Sequence, residues 1–291
     1  MIFIAESGST KCDWVLINRD GEEVGRWNTM GFNPYFHSSD LIRHKLSQER
    51  GMRPYLDQVL KVWFYGAGCS TPELQSIVVD GLQQVFTNAD INVDHDLNAA
   101  AYALYDGRPE IACILGTGSN SCYFDGYNVR EEVPALAYVL GDEGSASWIG
   151  KRLVADYLYK RLPSDLACAF EDTYRTSKDE VIQRVYNEPH ANVYLASFSR
   201  FAGDHAGHSW IRAMVANGFA KFIDIHVRCF EEAHDAEVNF VGSVAKQFED
   251  ILKTEVKKAG FTYGRTQAKP VNLLVKYHIE RLRVLEDLKK V

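Results

Sequence analysis

No apolar run in the chain approaches the roughly 20 residues that cross a bilayer. No signal-peptide-like leader precedes the first strand-like run, which begins at Ile2. The six cysteines (Cys12, Cys69, Cys113, Cys122, Cys168 and Cys229) make no Cys-x-x-Cys pair and no Cys/His cluster with zinc spacing. They read as reduced, small hydrophobes, which places the protein in the cytoplasm and away from membranes. A basic excess is also lacking. With 32 Lys and Arg against 39 Asp and Glu, the net charge of -7 excludes a nucleic-acid partner. The basic stretch from Lys276 to Lys290 alternates with acids and reads as a solvated helix face. There is no low-complexity segment, no long linker and no Gly-x-x-x-x-Gly-Lys-Ser/Thr phosphate loop. What remains, 46% hydrophobic and 24% charged, is ordinary globular composition, and 291 residues suffice for two cores.

Against that background two short stretches look like copies of one device. They are Ala5-Glu6-Ser7-Gly8-Ser9-Thr10-Lys11-Cys12 and Leu115-Gly116-Thr117-Gly118-Ser119-Asn120-Ser121-Cys122. Each follows an apolar run that reads as a buried strand, and each enters a second strand-like run ending at an Asp-Gly turn, Asp20-Gly21 or Asp125-Gly126. A tight turn of glycine and hydroxyl residues leaves backbone N–H groups free and lets an anion approach closely. One such turn is equally a plain hairpin. Two in equivalent places, joined by Val241-Gly242-Ser243-Val244-Ala245-Lys246, point to a clamp on a polyphosphate.

The patterning predicts strands near 2–5, 12–18 and 22–28, a helix after Ser38 capped by Ser39, and a buried strand over 61–66. A helix opened by Pro72 and carrying Leu74, Ile77, Val78, Leu82 and Val85 follows, then a strand over 91–93 and an alanine-rich helix over 97–105. The second half repeats the meander from Ile111 to about Val139. Helices are expected over 145–159, 178–186, 191–201 and 209–230, then a strand over 238–241, a helix to Lys258 and a last helix over 273–289. Strand–helix alternation with two similar meanders argues for an α/β protein of two lobes with a cleft between them. The Asp204-His205-Ala206-Gly207-His208 stretch is read as a helix start capped or flanked by Asp204, not as a metal site.

On these segments the chain resembles the actin, sugar kinase and Hsp70 ATPase superfamily, and within it the N-acetylglucosamine kinase-like branch grouped with BadF/BadG-type ATPases. Ile4–Lys11 resembles the first phosphate loop, Leu115–Asn120 the second and Phe240–Lys246 the adenosine motif. Gly141-Asp142-Glu143-Gly144-Ser145 followed by Trp148-Ile149-Gly150 is the most diagnostic segment of the branch. The resemblance implies two actin-like (ribonuclease H-like) lobes, each with a mixed sheet and helices. It divides the chain at 1–107, joined by the last helix over 273–291, and 108–272. It further implies transfer of phosphate from ATP, with Mg²⁺, to the 6-hydroxyl of N-acetylglucosamine or a close relative. No nucleic acid or membrane partner is implied, and there is room for a homodimer.

Transfer to a hydroxyl needs positioning, charge neutralisation and a carboxylate to take the proton. The family carries its base at the position of Asp96, where a strand gives way to a small-residue helix. Helix capping by Asp96, and Asp94 as the base, are the competing readings. Glu6 stands where much of the superfamily has the aspartate that holds the magnesium–phosphate complex. Gly8, Ser9, Thr10 and Lys11 and, in the second loop, Gly116, Thr117, Gly118 and Ser119 would bind phosphates, although Lys11 reads equally as a surface lysine. Gly242, Ser243 and Lys246 would lie at the nucleoside. Asn33, in a turn-forming Asn-Pro step, and Asp142 resemble sugar contacts. The stretch that lines the sugar pocket is Ala135-Leu136-Ala137 here, where the family has Gly-Trp-Gly, and Pro270-Val271-Asn272-Leu273-Leu274 departs from Pro-x-x-Gly-Leu. Two other functions fit the same fold. One is an ATPase that activates a dehydratase or reductase, which needs exposed cysteines for an iron–sulfur cluster. The other is a sugar sensor without turnover; related repressors carry a DNA-binding extension ahead of the first strand.

Overall fold

The run Ile2-Phe3-Ile4-Ala5 forms most of β1 (Ile2–Ser7), and its continuous apolar character fits a strand covered on both faces. β1 pairs antiparallel with β2 (Lys11–Ile17), and β2 pairs antiparallel with β3 (Glu23–Met30). On its other side β1 runs parallel to β4 (Lys61–Gly66), which carries β5 (Asp90–His95) in parallel. The second half repeats this plan. β6 (Glu110–Leu115), β7 (Ser119–Phe124) and β8 (Val129–Arg130) form the meander, and β9 (Glu237–Val241) and β10 (Thr262–Gln267) extend it in parallel beyond β6. The orders β3-β2-β1-β4-β5 and β8-β7-β6-β9-β10 are therefore one topology used twice. The structure, a computed structural model, describes residues 1–288. Residues 289–291, the end of the expected last helix, lie outside them. The chain forms two compact units, residues 1–104 with 270 onward, and residues 105–269.

In the first unit, α1 (Ser39–Ser47) is capped by Ser38, whose hydroxyl accepts from Leu41 N–H, and not by Ser39. α2 (Pro72–Gln83) starts with proline behind a Thr71 cap and ends before Val85. α3 (Asp96–Leu104) buries Ala99, Ala100, Ala101 and Ala103, small side chains that let it lie close on the sheet. Phe3, Trp14, Phe64 and Phe86 fill the core on one face. Each such side chain contributes about 1.5–3 kcal/mol through burial. The other face carries Ile4, Val15, Ile17 and Tyr65 against Ala99 and Ala103.

In the second unit come α4 (Ala137–Leu140), α5 (Ala146–Leu158), α6 (Ser164–Tyr174), α7 (Lys178–Ile182), α8 (Ala191–Ser197) and α9 (Ser199–Asp204). α10 (Ser209–His226), α11 (Ser243–Gln247) and α12 (Glu249–Lys258) complete it. Ile149, Phe170, Phe198, Phe219 and Phe222 pack on Ile111, Val238 and Phe240. The meander stops at Arg130 and not near Val139. Pro134 has no N–H for a ladder, and Gly141 N–H closes a helical turn on the Ala137 carbonyl at 2.7 Å. The helix expected over 191–201 breaks at Phe198, that over 209–230 ends at His226, and that over 178–186 passes into a π-type turn at Gln183–Asn187. Asp204 ends α9; His208 caps α10 by accepting from Trp210 N–H at 3.1 Å. The chain then returns to the first unit with α13 (Val271–Leu288), which packs on α3 through the stacked pair Tyr102 and Tyr277. Cys12, Cys69, Cys113 and Cys122 are buried, whereas Cys168 is exposed.

Glu110 opens β6 with only 3% exposure. The Asn239 amide donates to its Oε2 at 2.6 Å, while Oε1 has no partner among the described residues. Burial pushes this carboxyl up to about 8, against the pull of Asn239. A folded-state value above the ordinary one means that the folded protein holds a proton the unfolded chain gives up. The stability from this group is therefore complete below the ordinary glutamate range and is lost as pH rises toward 8. Glu110→Gln should raise stability by about 1–3 kcal/mol at pH 9 and change it little at pH 5. Thermal unfolding across that range checks this; a variant less stable at pH 9 would contradict it.

Candidate active site

Strands β1, β4 and β5 run in parallel, so their carboxyl ends form one edge, where open α/β sheets bind ligands. Register puts Asn28, Asp13, Glu6, Tyr65 and Asp94 in one row across five strands. Residues in register point to the same face, here the face covered by α3. Glu6 is half-buried, and Asp13 is 3% exposed and accepts from the Asn28 amide. Asp13 was not among the residues expected to matter; an acid directly before Trp14-Val15-Leu16 in a buried strand was the available signal.

One residue further, the chain leaves the sheet. Gly8 N–H donates to the Lys11 carbonyl at 3.0 Å, which makes Ser9 and Thr10 a two-residue hairpin loop with Thr10 and Lys11 exposed. Ser7 Oγ accepts from Phe32 N–H at 2.8 Å and ties this hairpin to the segment that carries Asn33. Asn33 is buried. Its Oδ1 accepts from Tyr35 N–H at 3.0 Å, the turn that Asn-Pro signals, while its NH₂ has no partner among the described residues. A Cβ added at Gly68 would stand 2.5 Å from that Oδ1, so Asn33 lies against the loop after β4.

Asp96 begins α3 with its side chain 21% exposed. His95 Nε2 stands 3.1 Å from its Oδ1. Burial pushes the Asp96 carboxyl above the usual range, while His95 and the Leu97 N–H pull it back. Asp94 instead spends Oδ1 on the His95 N–H at 2.8 Å. Cys69, in the loop after β4, is raised to about 12 by burial, with Asp96 and Asp94 adding to the shift. The structure thus gathers Glu6, the Gly8–Lys11 hairpin, Asn33 and Asp96 at the carboxyl edge of one sheet.

The second unit builds its own set. Gly116 N–H donates to the Gly118 carbonyl at 3.0 Å and closes the loop after β6. The start of α5 is stitched onto it: Ala146 N–H meets Gly116 O at 2.9 Å and Ser147 N–H meets Thr117 O at 3.1 Å. Asp142, in the left-handed region at φ 57°, accepts from Ser119 N–H at 3.0 Å through Oδ1 and from the Ser147 hydroxyl at 3.3 Å through Oδ2. Burial raises its carboxyl while those two donors lower it. Through these two bonds Asp142 clamps the loop that carries Gly116, Thr117, Gly118 and Ser119, and each oxygen keeps a lone pair for a further donor. Gly242 N–H donates to Gln267 O at 2.9 Å, and Gly242 presses on the same loop from the β9 side. Ser243 starts α11, whereas the Lys246 ammonium is taken by Glu249 at 2.7 Å on the surface. Ala135, Leu136 and Ala137 are exposed, with Leu136 at 53%, and lead into Gly141.

No family model and no curated protein sequence matches the chain. Among solved structures, the putative N-acetylglucosamine kinase of Porphyromonas gingivalis superposes with a TM-score of 0.90 at 36% identity, covering 96% of this chain and 99% of that one. The chain belongs to the N-acetylglucosamine kinase-like branch of the actin/sugar kinase/Hsp70 superfamily. Its fold is shared by the putative N-acetylglucosamine kinase of Chromobacterium violaceum, with a TM-score of 0.74 at 15% identity over 95% of this chain and 98% of that one. It is shared as well by a ROK family glucokinase of Streptomyces griseus, solved with glucose and AMPPNP, with a TM-score of 0.52 at 14% identity over 96% and 98% of the two chains. The duplicated meander-plus-two sheets are the actin-like lobes of this kinase branch.

Proposed function

We propose that the chain is an ATP-dependent sugar kinase that phosphorylates an amino sugar, at the 6-hydroxyl of N-acetylglucosamine or a close relative. The observation that carries this reading is Asp96: a carboxylate raised by burial and partly open, at the carboxyl edge of the sheet whose first hairpin resembles a phosphate loop. The sugar hydroxyl gives its proton to Asp96 as its oxygen attacks the γ-phosphorus of ATP. The bond from that phosphorus to the bridging oxygen breaks, and ADP leaves with the electron pair. Asn33 offers its NH₂ to a sugar oxygen. The resemblance assigns phosphate oxygens to backbone N–H groups at Ser9-Thr10 in the first unit and at Thr117-Gly118 in the second, and the nucleoside to Gly242-Ser243.

The donor set suits Mg²⁺. No group of three or more acidic, His or Cys side chains forms a cage among the described residues, and Mg²⁺ bound through phosphates needs only one or two carboxylates. Glu6 supplies one at the base of the hairpin, with Asp13 opposite it on β2. When bound, the ion neutralises charge on the phosphates. Glu6→Gln should lower turnover roughly 10- to 100-fold, with partial recovery at raised magnesium. Recovery absent at every magnesium concentration would remove Glu6 from this role.

ADP release with Mg-ATP, measured against N-acetylglucosamine, glucosamine, N-acetylmuramate, N-acetylmannosamine and glucose, tests the substrate class. Release is expected with N-acetylglucosamine or a near relative and not with glucose. Release independent of any sugar would contradict it.

A further inference from the structure

The residue before the proposed base is a histidine whose ring turns back onto its neighbour's carboxylate. His95 ends β5 and Asp96 begins α3, so the chain changes from strand to helix between them. That change brings side chains of adjacent residues to 3.1 Å, His95 Nε2 to Asp96 Oδ1. Two further features hold the arrangement. The His95 N–H is bonded to Asp94 Oδ1 at 2.8 Å, which fixes the backbone at the turn. The neighbouring strand presents Gly66 in register with His95, and the Phe64 ring and Cys69 Sγ close over that glycine. Both side chains are largely covered, at 17% and 21% exposure.

We propose that His95 is a positioning residue for the base, its Nε2–H holding Asp96 Oδ1 so that the carboxylate meets the sugar hydroxyl in one orientation. This rests on the assignment of Asp96 as base in the kinase reading above. An ionised carboxylate only accepts hydrogen bonds, so the ring nitrogen facing it carries the hydrogen. In the transfer step the hydroxyl proton passes to Asp96, while the hydrogen on His95 Nε2 stays where it is. Without the imidazole, Asp96 keeps the Leu97 N–H as a partner but loses the side-chain bond that limits its rotation. The consequence falls on the reacting geometry and not on ground-state binding.

The same contact sets the protonation of the base. His95 pulls the Asp96 carboxyl down against burial, so its loss moves the acid limb of the rate to higher pH. Cys69, in the loop after β4, interacts with both Asp96 and Asp94. On α13, His278 bonds the Tyr65 hydroxyl and stacks on Trp63, Tyr277 stacks on Tyr102, Arg281 bonds the Tyr277 hydroxyl and Lys276 pairs with Glu280.

The test compares His95→Leu, His95→Gln and His95→Asn in the full-length protein, using kcat, KM for both substrates and the pH profile of kcat. A glutamine amide reaches about as far as Nε2 and still donates; an asparagine amide is one carbon shorter. His95→Leu and His95→Asn should lose roughly 10- to 100-fold in kcat, with KM values within a few-fold and the acid limb shifted upward. His95→Gln should return kcat to within about 3-fold of the original, while its uncharged amide leaves the limb shifted upward as in the other two variants. An inactive Asp96→Asn beside a His95→Leu of unchanged kcat and unchanged limb overturns the role of His95 alone. His95→Gln and His95→Asn equally impaired at unaltered melting temperature also overturn it. An Asp96→Asn with undiminished turnover overturns the base assignment itself.

Discussion

Asp96→Asn should lower kcat by roughly 10²–10⁴ and leave the affinity for ATP within a few-fold. The substitution is close to isosteric, and an asparagine oxygen still accepts from Leu97 N–H, so the start of α3 keeps its local bonding. What disappears is the capacity to take a proton as the sugar oxygen attacks. Burial strengthens the argument: it raises the carboxyl and makes Asp96 a better proton acceptor than an exposed aspartate. Asp94→Asn should cost little, because the bond its carboxylate accepts from the His95 N–H survives in an amide. Steady-state kinetics of the two variants side by side decide the matter. Loss of turnover in Asp94→Asn with a healthy Asp96→Asn would move the base by two residues.

Gly242→Ala should lower stability by about 3–5 kcal/mol, enough to cost on the order of 10 °C in Tm or to prevent folding of the second unit. Two independent causes act at this position. Its φ of 123° lies where an L side chain is strained, and a Cβ would stand 2.2 Å from the Leu115 carbonyl oxygen. That oxygen belongs to backbone at the end of β6, which cannot yield without shifting the loop that Asp142 and the start of α5 hold in place. Denaturant unfolding of the purified variant measures the loss. A Gly242→Ala protein within about 0.5 kcal/mol of the original would show that the loop after β6 is far more yielding than its hydrogen bonds imply.

Much of this was legible in the chain. The twin turns after apolar runs announced the duplicated meander, because strands covered on both faces need continuous apolar sequence and hairpins need small residues between them. The strand-to-helix step at Asp96 could be seen for the same reason. α4, α6 and β10 escaped. α6 buries only Leu166 and Phe170, too few to reveal a helical period. β10, Thr-Tyr-Gly-Arg-Thr-Gln, is an edge strand with only Thr266 buried. The partners of site residues escaped as well, since register is a long-range fact. Nothing local places Asp13 opposite Glu6, sets Ser7 on the Phe32 N–H 25 residues away, or turns Asp142 onto Ser119. At Asn33 the local reading was enough for the turn that Asn-Pro suggests, in which its oxygen accepts from Tyr35 N–H.

The central claim is that phosphate goes from ATP to a sugar hydroxyl and not to water. Phosphorus-31 NMR of the purified protein with Mg-ATP and N-acetylglucosamine tests this in one sample. The expected result is a phosphomonoester resonance, split into a triplet by the two protons of the sugar C6 methylene, growing in step with ADP and absent with Asp96→Asn. ADP accompanied by inorganic phosphate alone would contradict it and would describe an ATPase on a kinase fold.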